Sequence, residues 1–253
     1  MAFTNRQIHL AARPKGLPKE SDFALVTTEV PALQDGQFLV RINYVSVDPY
    51  MRGLMNEGRS YVNHFNVGDV VLGGAAGTVI DSRHPEYAAG ETVLGFWGWQ
   101  EYAVSDGGGV HRFDASLAPL STSLGVLGMP GLTAYFGLLD IGRPRAGETV
   151  FISGAAGAVG SVAGQIAKIM GCRVAGSAGS AEKVAFLQEI GFDAAFNYKS
   201  VLEYPAALRE ACPAGIDVYF DNVGGALTDA VFTQINPEAR IVLCGQIDQY
   251  NAL

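Results

Sequence analysis

The residues of this chain that could bind a phosphorylated ligand lie in a glycine-rich segment near position 155. An apolar run, Thr149–Ile152, is followed by Ser153–Gly160, which reads SGAAGAVG, and then by apolar residues at helical spacing up to Met170. These patterns predict a buried strand, a tight turn and a helix. Small turn residues let backbone N–H groups approach a pyrophosphate at the helix N-terminus. An ordinary tight turn uses the same residue types, and Ala155 stands at the first glycine position of the fingerprint.

A second predicted strand, Arg173–Ser177, follows the helix and completes a βαβ unit. In NAD-binding folds an acidic residue at the end of this strand takes the hydroxyls of the adenosine ribose. Here the strand ends in Gly176–Ser180 (GSAGS) without a carboxylate, and Lys183 opens the next helix. An exposed lysine in a first helical turn is common, but together with the missing acid it favours NADP over NAD.

The elements around this unit change character along the chain. Residues 1–124 contain short alternating apolar runs separated by Pro and Gly, among them Phe38–Val47 and Asp69–Leu72, which predict a small barrel or sandwich. Residues 125–253 alternate predicted helices and strands, which is typical of a doubly wound parallel sheet. We count five strands where a dinucleotide-binding sheet usually has six, so we expect the chain to be truncated at its C-terminus.

Composition excludes several classes of function. The chain has 253 residues and a net charge of −8, without a basic stripe, which argues against nucleic acid or an anionic membrane as a partner. No apolar run approaches the length of a membrane span, and the N-terminus lacks a signal-peptide core. The three cysteines, Cys172, Cys212 and Cys244, make neither a disulfide framework nor a zinc spacing. We therefore expect free thiols, a cytoplasmic setting and no metal.

Five strings together resemble one family closely. They are Val47–Gly53 (VDPYMRG), Leu127–Tyr135 (LGMPGLTAY), Ala155–Gly160 (AAGAVG), Phe220–Gly225 (FDNVGG) and Cys244–Asn251 (CGQIDQYN). The chain is thereby similar to the zinc-independent prostaglandin reductases and NADP-dependent alkenal double-bond reductases of the medium-chain dehydrogenase/reductase superfamily, which include bacterial curcumin reductases. The resemblance covers nearly the whole chain.

The resemblance implies an α/β fold with two domains and a reaction. Residues 1–124 would form a GroES-like β-barrel on the substrate side, and residues 125–253 a Rossmann domain that binds NADP and lacks its sixth strand. The reaction would be metal-free hydride transfer from NADPH to the β-carbon of an enone or enal, with curcumin-like compounds among the candidates. A homodimer is implied for the full-length protein.

The resemblance also assigns site residues. The pyrophosphate would be held by Gly157, Ala158, Val159 and Gly160. Lys183 and Tyr198 would take the 2′-phosphate, Asn222 the nicotinamide side, and Cys244, Gly245, Ile247 and Tyr250 would run beneath the nicotinamide. Tyr50, Tyr61 and Tyr250 would line the substrate pocket. Tyr250 is our first choice, and Tyr61 our second, for the hydroxyl that donates to the developing enolate oxygen.

Two other interpretations remain open at this point. A quinone oxidoreductase of the same superfamily shares the glycine turn and the lack of zinc, although it does not explain the tyrosines or the VDPYMRG string. A cofactor-binding fragment without catalysis is the second, because the expected truncation would leave an open sheet edge and an incomplete barrel.

Overall fold

The computed structural model describes residues 3–57 and 64–251 and divides the chain into two compact units. One unit runs to Leu124 and also contains Tyr250 and Asn251, whereas the other is Gly125–Gln249. The sequence-based division put residues 250 and 251 in the second unit. They group with the first because they contact it, as the bond from Arg52 Nε to Asn251 Oδ1 illustrates.

The first unit is built from antiparallel strands. The elements are β1 Thr4–Leu10, β2 Phe23–Glu29, β3 Phe38–Val45, α1 Tyr50–Leu54, β4 Ala75–Ser82, β5 Thr92–Gly95, β6 Tyr102–Ser105 and β7 His111–Arg112, with 3-10 turns at Glu20–Asp22 and Leu120–Leu124. Strands β1 and β2 form an antiparallel ribbon, and the other five form a sheet of order β6-β3-β4-β5-β7. Leu10 of β1 and Met51 of α1 are buried in one of its two apolar clusters, and Phe38 of β3 in the other.

One predicted strand of this unit, Asp69–Leu72, is wrong. Only Val70 forms a bridge there, with His9 of β1. The preceding residues turn tightly, since the Asp69 backbone N–H donates to the Asn66 carbonyl and the Asn66 amide donates to the Asp69 carboxylate. The segment pairs with β1 only over a short stretch around this bridge, where the Leu10 N–H donates to the Asp69 carbonyl at 3.0 Å and the Val71 N–H donates to the Ile8 carbonyl at 2.9 Å.

The second unit is a parallel sheet with helices on both faces. The elements are α2 Met129–Phe136, a π-helical turn Gly137–Gly142, β8 Thr149–Ile152, α3 Ala158–Ile169, β9 Arg173–Ala178, α4 Ala181–Glu189, β10 Ala194–Asn197, α5 Tyr204–Ala211, β11 Ile216–Asp221, α6 Gly225–Phe232 and β12 Ile235–Leu243. The strand order, β10-β9-β8-β11-β12, is the order of the first five strands of a dinucleotide-binding sheet. The five predicted strands and the fold class are confirmed.

Successive side chains of the central strands pack into two separate apolar cores, one on each face of this sheet. Val150 and Ile152 of β8 pack on the side of α3, whereas Phe151 packs on the side of α5 and α6 with Tyr219 and Leu208. Burial on both faces explains the continuous apolar runs of the sequence. The sheet thereby fixes the carboxyl ends of β8 to β11, where the candidate site lies.

Candidate cofactor site

A cleft of about 540 Å³ opens in the second unit at the carboxyl ends of its parallel strands. Ligands of open α/β sheets bind at this edge. The cleft is lined by Gly154, Ala156, Gly157, Ala178, Gly179, Lys183, Tyr198, Lys199, Tyr204, Val223, Gly224, Ala226, Leu227, Ile247 and Asp248. Two lysines, two tyrosines and an apolar wall give it the polarity that a phosphorylated nucleotide requires.

The glycine-rich turn after β8 depends on close backbone approach. Gly154 has a φ of +59°, and Gly157 is the N-cap residue of α3. A Cβ on Gly160 would lie 2.7 Å from the Gly154 carbonyl oxygen and 2.8 Å from the Ala155 Cα, so α3 can begin against the turn only with glycine there. Gly157 and Ala158 are exposed, whereas Val159 packs against the core. The arrangement leaves the N-terminus of a twelve-residue helix accessible to an anion.

Alanine at the first fingerprint position has a structural explanation. Ala155 is fully buried, and its backbone N–H donates to the Ser177 carbonyl of β9 at 2.9 Å. A Cβ on Gly176 would lie 2.6 Å from the Ala155 methyl group. Because β9 has a glycine opposite the turn, the methyl group of Ala155 fits without opening the βαβ unit.

The rim of the cleft beyond β9 carries cations. The Ser180 hydroxyl caps α4 by accepting from the Lys183 backbone N–H at 3.3 Å, and the Lys183 side chain is exposed. Lys199 lies after β10 with its ammonium 5.9 Å from the Tyr198 ring centroid. A Cβ on Gly179 would lie 3.0 Å from the Tyr198 hydroxyl oxygen, so this glycine makes room for the phenol. These groups fit a 2′-phosphate, because none of them repels an anion.

The loop after β11 is held by a buried carboxylate. Asp221 is fully buried, and its Oδ1 accepts from the Ser153 and Tyr219 hydroxyls at 2.9 and 2.8 Å and from the backbone N–H groups of Val223 and Gly224 at 2.9 Å each. Its Oδ2 accepts from the Thr228 hydroxyl at 2.8 Å. Burial by itself would raise the pKa of Asp221, but the N–H and hydroxyl donors outweigh it and hold the pKa below its usual value.

The same network joins the two loops that line the cleft. The Asn222 backbone N–H donates to the Ser153 hydroxyl at 2.9 Å, and the Asn222 side-chain amide donates to the Ser153 carbonyl at 2.8 Å. Burial raises the pKa of the Tyr219 phenol, which therefore stays protonated and acts as a donor. The glycine-rich turn and the loop after β11 are thereby fixed to each other.

Two family models and several named relatives match this chain. The family model described as N-terminal domain of oxidoreductase matches residues 6–113, and the one described as zinc-binding dehydrogenase matches residues 158–252. The chain is 46% identical to the NADPH-dependent curcumin reductase of Escherichia coli, over 98% of this chain and 72% of the relative. It is 48% identical to prostaglandin reductase 1 of Rattus norvegicus, over 94% of this chain and 71% of the relative.

A solved structure matches equally well. It is CurA from Vibrio vulnificus in complex with NADPH, with 46% identity and a TM-score of 0.93 over 98% of this chain and 73% of that one. The chain belongs to the zinc-independent alkenal double-bond reductases of the medium-chain dehydrogenase/reductase superfamily.

Among residues 3–57 and 64–251 of this double-bond reductase, no group of three or more His, Cys, Asp or Glu could hold a metal ion. No helix in the same ranges is both long and apolar enough for a membrane span.

The residues assigned to the nicotinamide end lie around the carboxyl ends of β11 and β12. The backbone N–H groups of Cys244 and Gly245 donate to the Asp221 carbonyl at 2.9 and 3.0 Å, and that of Ile247 donates to the Asn222 carbonyl at 3.4 Å. Burial raises the pKa of the Cys244 thiol to about 11, so the thiol is not activated as a nucleophile. Ile247 lines the cleft, whereas Asn222 is turned toward Ser153 through its amide nitrogen.

The structure places two of the three assigned tyrosines in the first unit. Tyr50 begins α1 and is half-buried against the cluster that contains Met51. Tyr250 is half-buried and belongs to the same unit. Tyr61 lies outside the described residues.

Sequence reasoning missed four residues of the cleft and its support. Lys199 directly follows Tyr198, so the argument that selected Lys183 could have selected it as well. Asp221 directly follows the apolar run Val218–Phe220. A carboxylate at the end of a buried strand indicates a buried hydrogen-bond network. Tyr204 and Asp248 carry no local signal, because only the packing of α5 and of the segment after β12 brings them to the cleft.

Proposed function

We propose that this double-bond reductase uses NADPH to reduce the carbon–carbon double bond of α,β-unsaturated aldehydes and ketones, with curcumin-like enones among the substrates. The observation that supports it most is the rim after strands β9 and β10, which carries the cations Lys183 and Lys199 and the neutral phenol of Tyr198, whereas an NAD-binding fold carries a carboxylate at the end of its second strand. Relatives named as NADPH-dependent curcumin reductase and prostaglandin reductase support the same assignment.

The second unit has the task of binding and orientation. The lysines of the rim hold the 2′-phosphate, and the exposed backbone at Gly157 and Ala158 holds the pyrophosphate. The Asp221 network keeps the loop after β11 fixed, so that Asn222 and the residues after β12 receive the nicotinamide end. NADPH, when bound, supplies the hydride that reduces the substrate.

Tyrosine hydroxyls perform the electrostatic part of the reaction. As the β-carbon of the substrate accepts a hydride, negative charge develops on its carbonyl oxygen. Tyr250 donates a hydrogen bond to this oxygen, Tyr61 is the second candidate donor, and Tyr50 lines the pocket. Removing such a donor costs about 3 kcal/mol in other enzymes. The α-carbon then takes a proton from a tyrosine or from water, which completes the addition of two hydrogen atoms across the double bond.

A substrate panel tests the proposal against its alternatives. We expect NADPH oxidation with a trans-2-alkenal and with aryl enones, and product analysis should show a saturated carbonyl compound. Tyr250→Phe should lower kcat by a factor on the order of 100 while leaving the KM for NADPH unchanged. A large preference for benzoquinone would assign the chain to quinone reduction instead. Binding of NADPH without turnover of any acceptor would identify a binding protein.

Compartment and assembly complete the proposal. Three free cysteines, two of them buried, suit a reducing cytoplasmic compartment. A homodimer is the assembly that the family resemblance implies. Light scattering of the natural protein should give twice the monomer mass, and a monomer mass with full activity would contradict the dimer.

A further inference from the structure

Arg52 on helix α1 is half-buried and donates five hydrogen bonds to four different residues. Its Nε is shared between the Gly16 carbonyl at 3.2 Å and Asn251 Oδ1 at 3.0 Å. Its Nη2 donates to the carbonyls of Gly16 at 2.9 Å and Pro14 at 3.3 Å, and its Nη1 donates to Asn56 Oδ1 at 2.6 Å. All five contacts are to neutral oxygens, and no carboxylate of the described residues forms an ion pair with Arg52. What matters here is therefore the planar arrangement of its N–H donors, which reach several neutral oxygens at once, and not the pairing of opposite charges.

The contact with Asn251 is the informative one. It joins residues 199 positions apart in the chain. Asn251 directly follows Tyr250, and Arg52 lies two residues after Tyr50 on the same short helix α1. The guanidinium thus ties the short helix that carries one pocket tyrosine to the segment that carries the other. Met51 and Leu54 are buried in the core of the first unit, so α1 is a firm support for this tie.

We infer that Arg52 is a positioning residue that fixes the hydroxyl of Tyr250 by holding Asn251. This inference rests on the proposed function of Tyr250 and extends it to two residues that do not touch the reacting atoms. The planar guanidinium of arginine can donate to Gly16 and Asn251 at the same time, whereas the single ammonium of a lysine cannot hold both hydrogen bonds in this geometry. Misplacing a catalytic group by about 1 Å can cost a factor of about 100 in rate.

Arg13 provides a matched control in the same region. Its Nη1 donates to the carbonyls of Met55 at 2.9 Å, Asn56 at 3.3 Å and Phe65 at 3.2 Å, and its Nε pairs with Glu57 at 3.0 Å. Arg13 therefore clamps the end of α1 just as Arg52 does, but it has no bond to Asn251 among the described contacts. A purely structural role would make the two arginines equivalent.

The test compares Arg52→Lys, Asn251→Ala, Asn251→Asp and Arg13→Lys in the natural protein. For Arg52→Lys and Asn251→Ala we expect kcat to fall about 10- to 100-fold, with the KM for NADPH changed by less than about twofold. The double variant should be no worse than the weaker single one, because both remove the same contact. Asn251→Asp keeps the acceptor oxygen and should restore activity. Arg13→Lys should leave kcat unchanged.

Amide hydrogen exchange gives a readout that does not depend on turnover. The peptide containing Tyr250 and Asn251 should exchange faster in Arg52→Lys and Asn251→Ala, and at the normal rate in Arg13→Lys. Unchanged exchange, or an equal loss of kcat in Arg13→Lys, would overturn the inference. If Arg52→Lys lowers kcat by its full factor in a Tyr250→Phe background, Arg52 does not act through Tyr250. If instead Tyr250→Phe alone has no effect on kcat, the assigned role of Tyr250 fails, while exchange still tests the anchor.

Discussion

The two sides of the cofactor cleft are built on opposite principles. The loop after β11 is held from inside by Asp221, a fully buried carboxylate that accepts five hydrogen bonds. The rim after β9 and β10 carries Lys183 and Lys199, which are exposed. Bonds to a buried charge fix a backbone, since any displacement leaves the charge unpaired. Exposed cations fix no backbone and add affinity only when an anion arrives. One side thus fixes the geometry of the cleft, and the other is the side to which we assign the choice of cofactor.

Replacing the buried carboxylate should have the largest effect. Asp221→Asn keeps the shape but sets an amide nitrogen against donors, so we expect a loss of about 3 kcal/mol in the free energy of unfolding. NADPH binding should weaken in parallel, because Ser153 and Asn222 lose their common anchor. Urea unfolding and cofactor fluorescence measure the two effects.

Asp217→Asn is the matched control, since Asp217 lies at the other end of β11 and accepts from the Thr149 N–H and the Asn236 amide at 2.8 Å each. It should affect stability less and NADPH binding not at all. Because the folded-state pKa of Asp221 is lowered, its stabilisation is present above about pH 4 and disappears as the pH falls through the folded-state value. The Asp221→Asn protein should therefore lose less stability than the wild type between pH 4 and pH 2. Equal acid sensitivity would show that Asp221 is not the anchor.

The second largest effect is expected for the glycine-rich turn after β8, which is hydrogen-bonded to the loop after β11. In Gly160→Ala the new Cβ would meet the Gly154 carbonyl oxygen at 2.7 Å, and overpacking of this kind costs about 1–3 kcal/mol. We expect the Kd for NADPH to rise about tenfold, because the turn must move. In Gly157→Ala the Cβ would lie 3.2 Å from the same oxygen, at a φ of −76° that alanine adopts freely. If calorimetry gave both variants the same Kd, steric closeness at Gly160 would not control the turn.

The sequence predicts the rim after β9 and β10 better than the loop after β11, because the rim depends on local patterns and the loop depends on packing. Strand β10 and helix α4 can be recognised from local signals, which are apolar periodicity and the Ser180 cap. Strand β12 begins at Ile235, five residues before its apolar run at Arg240–Leu243. Its first half has no such run, because it contains Pro237 and a φ of +62° at Glu238 and pairs with β11 in an irregular register.

The candidate site divides in the same way. Gly157, Lys183 and Tyr198 could be identified from spacing and family likeness, and all three line the cleft. The five donors to Asp221 come from three separate segments, which only the folded sheet brings together. The bond from Arg52 to Asn251 has no sequence signal at all, since 199 positions separate its partners.

Removing one exposed cation should have a smaller effect, restricted to cofactor choice. We expect Lys183→Ala to raise the KM for NADPH about tenfold, because one charge-assisted bond to the 2′-phosphate is lost, while weak use of NADH stays the same. The increase should shrink at high salt. Lys168→Ala removes the same charge from a lysine paired with Asp193 at 2.8 Å, away from the cleft lining, and should not change the KM. If Lys183→Ala kept the same preference for NADPH over NADH, the rim would not be what selects the cofactor.

The smallest expected effect tests how firmly the buried side stays closed. The Cys244 backbone is bonded to the Asp221 carbonyl, and burial raises the pKa of its thiol to about 11. Because a raised pKa favours the protonated thiol, only about one molecule in a thousand carries the reactive thiolate at pH 8. Iodoacetamide should therefore label Cys244 slowly in the folded protein and at an ordinary rate in urea, as peptide mass spectrometry would show. Rapid labelling in the folded state would mean that the end of β12 opens, and that the side of the cleft held by Asp221 is less rigid than its hydrogen bonds indicate.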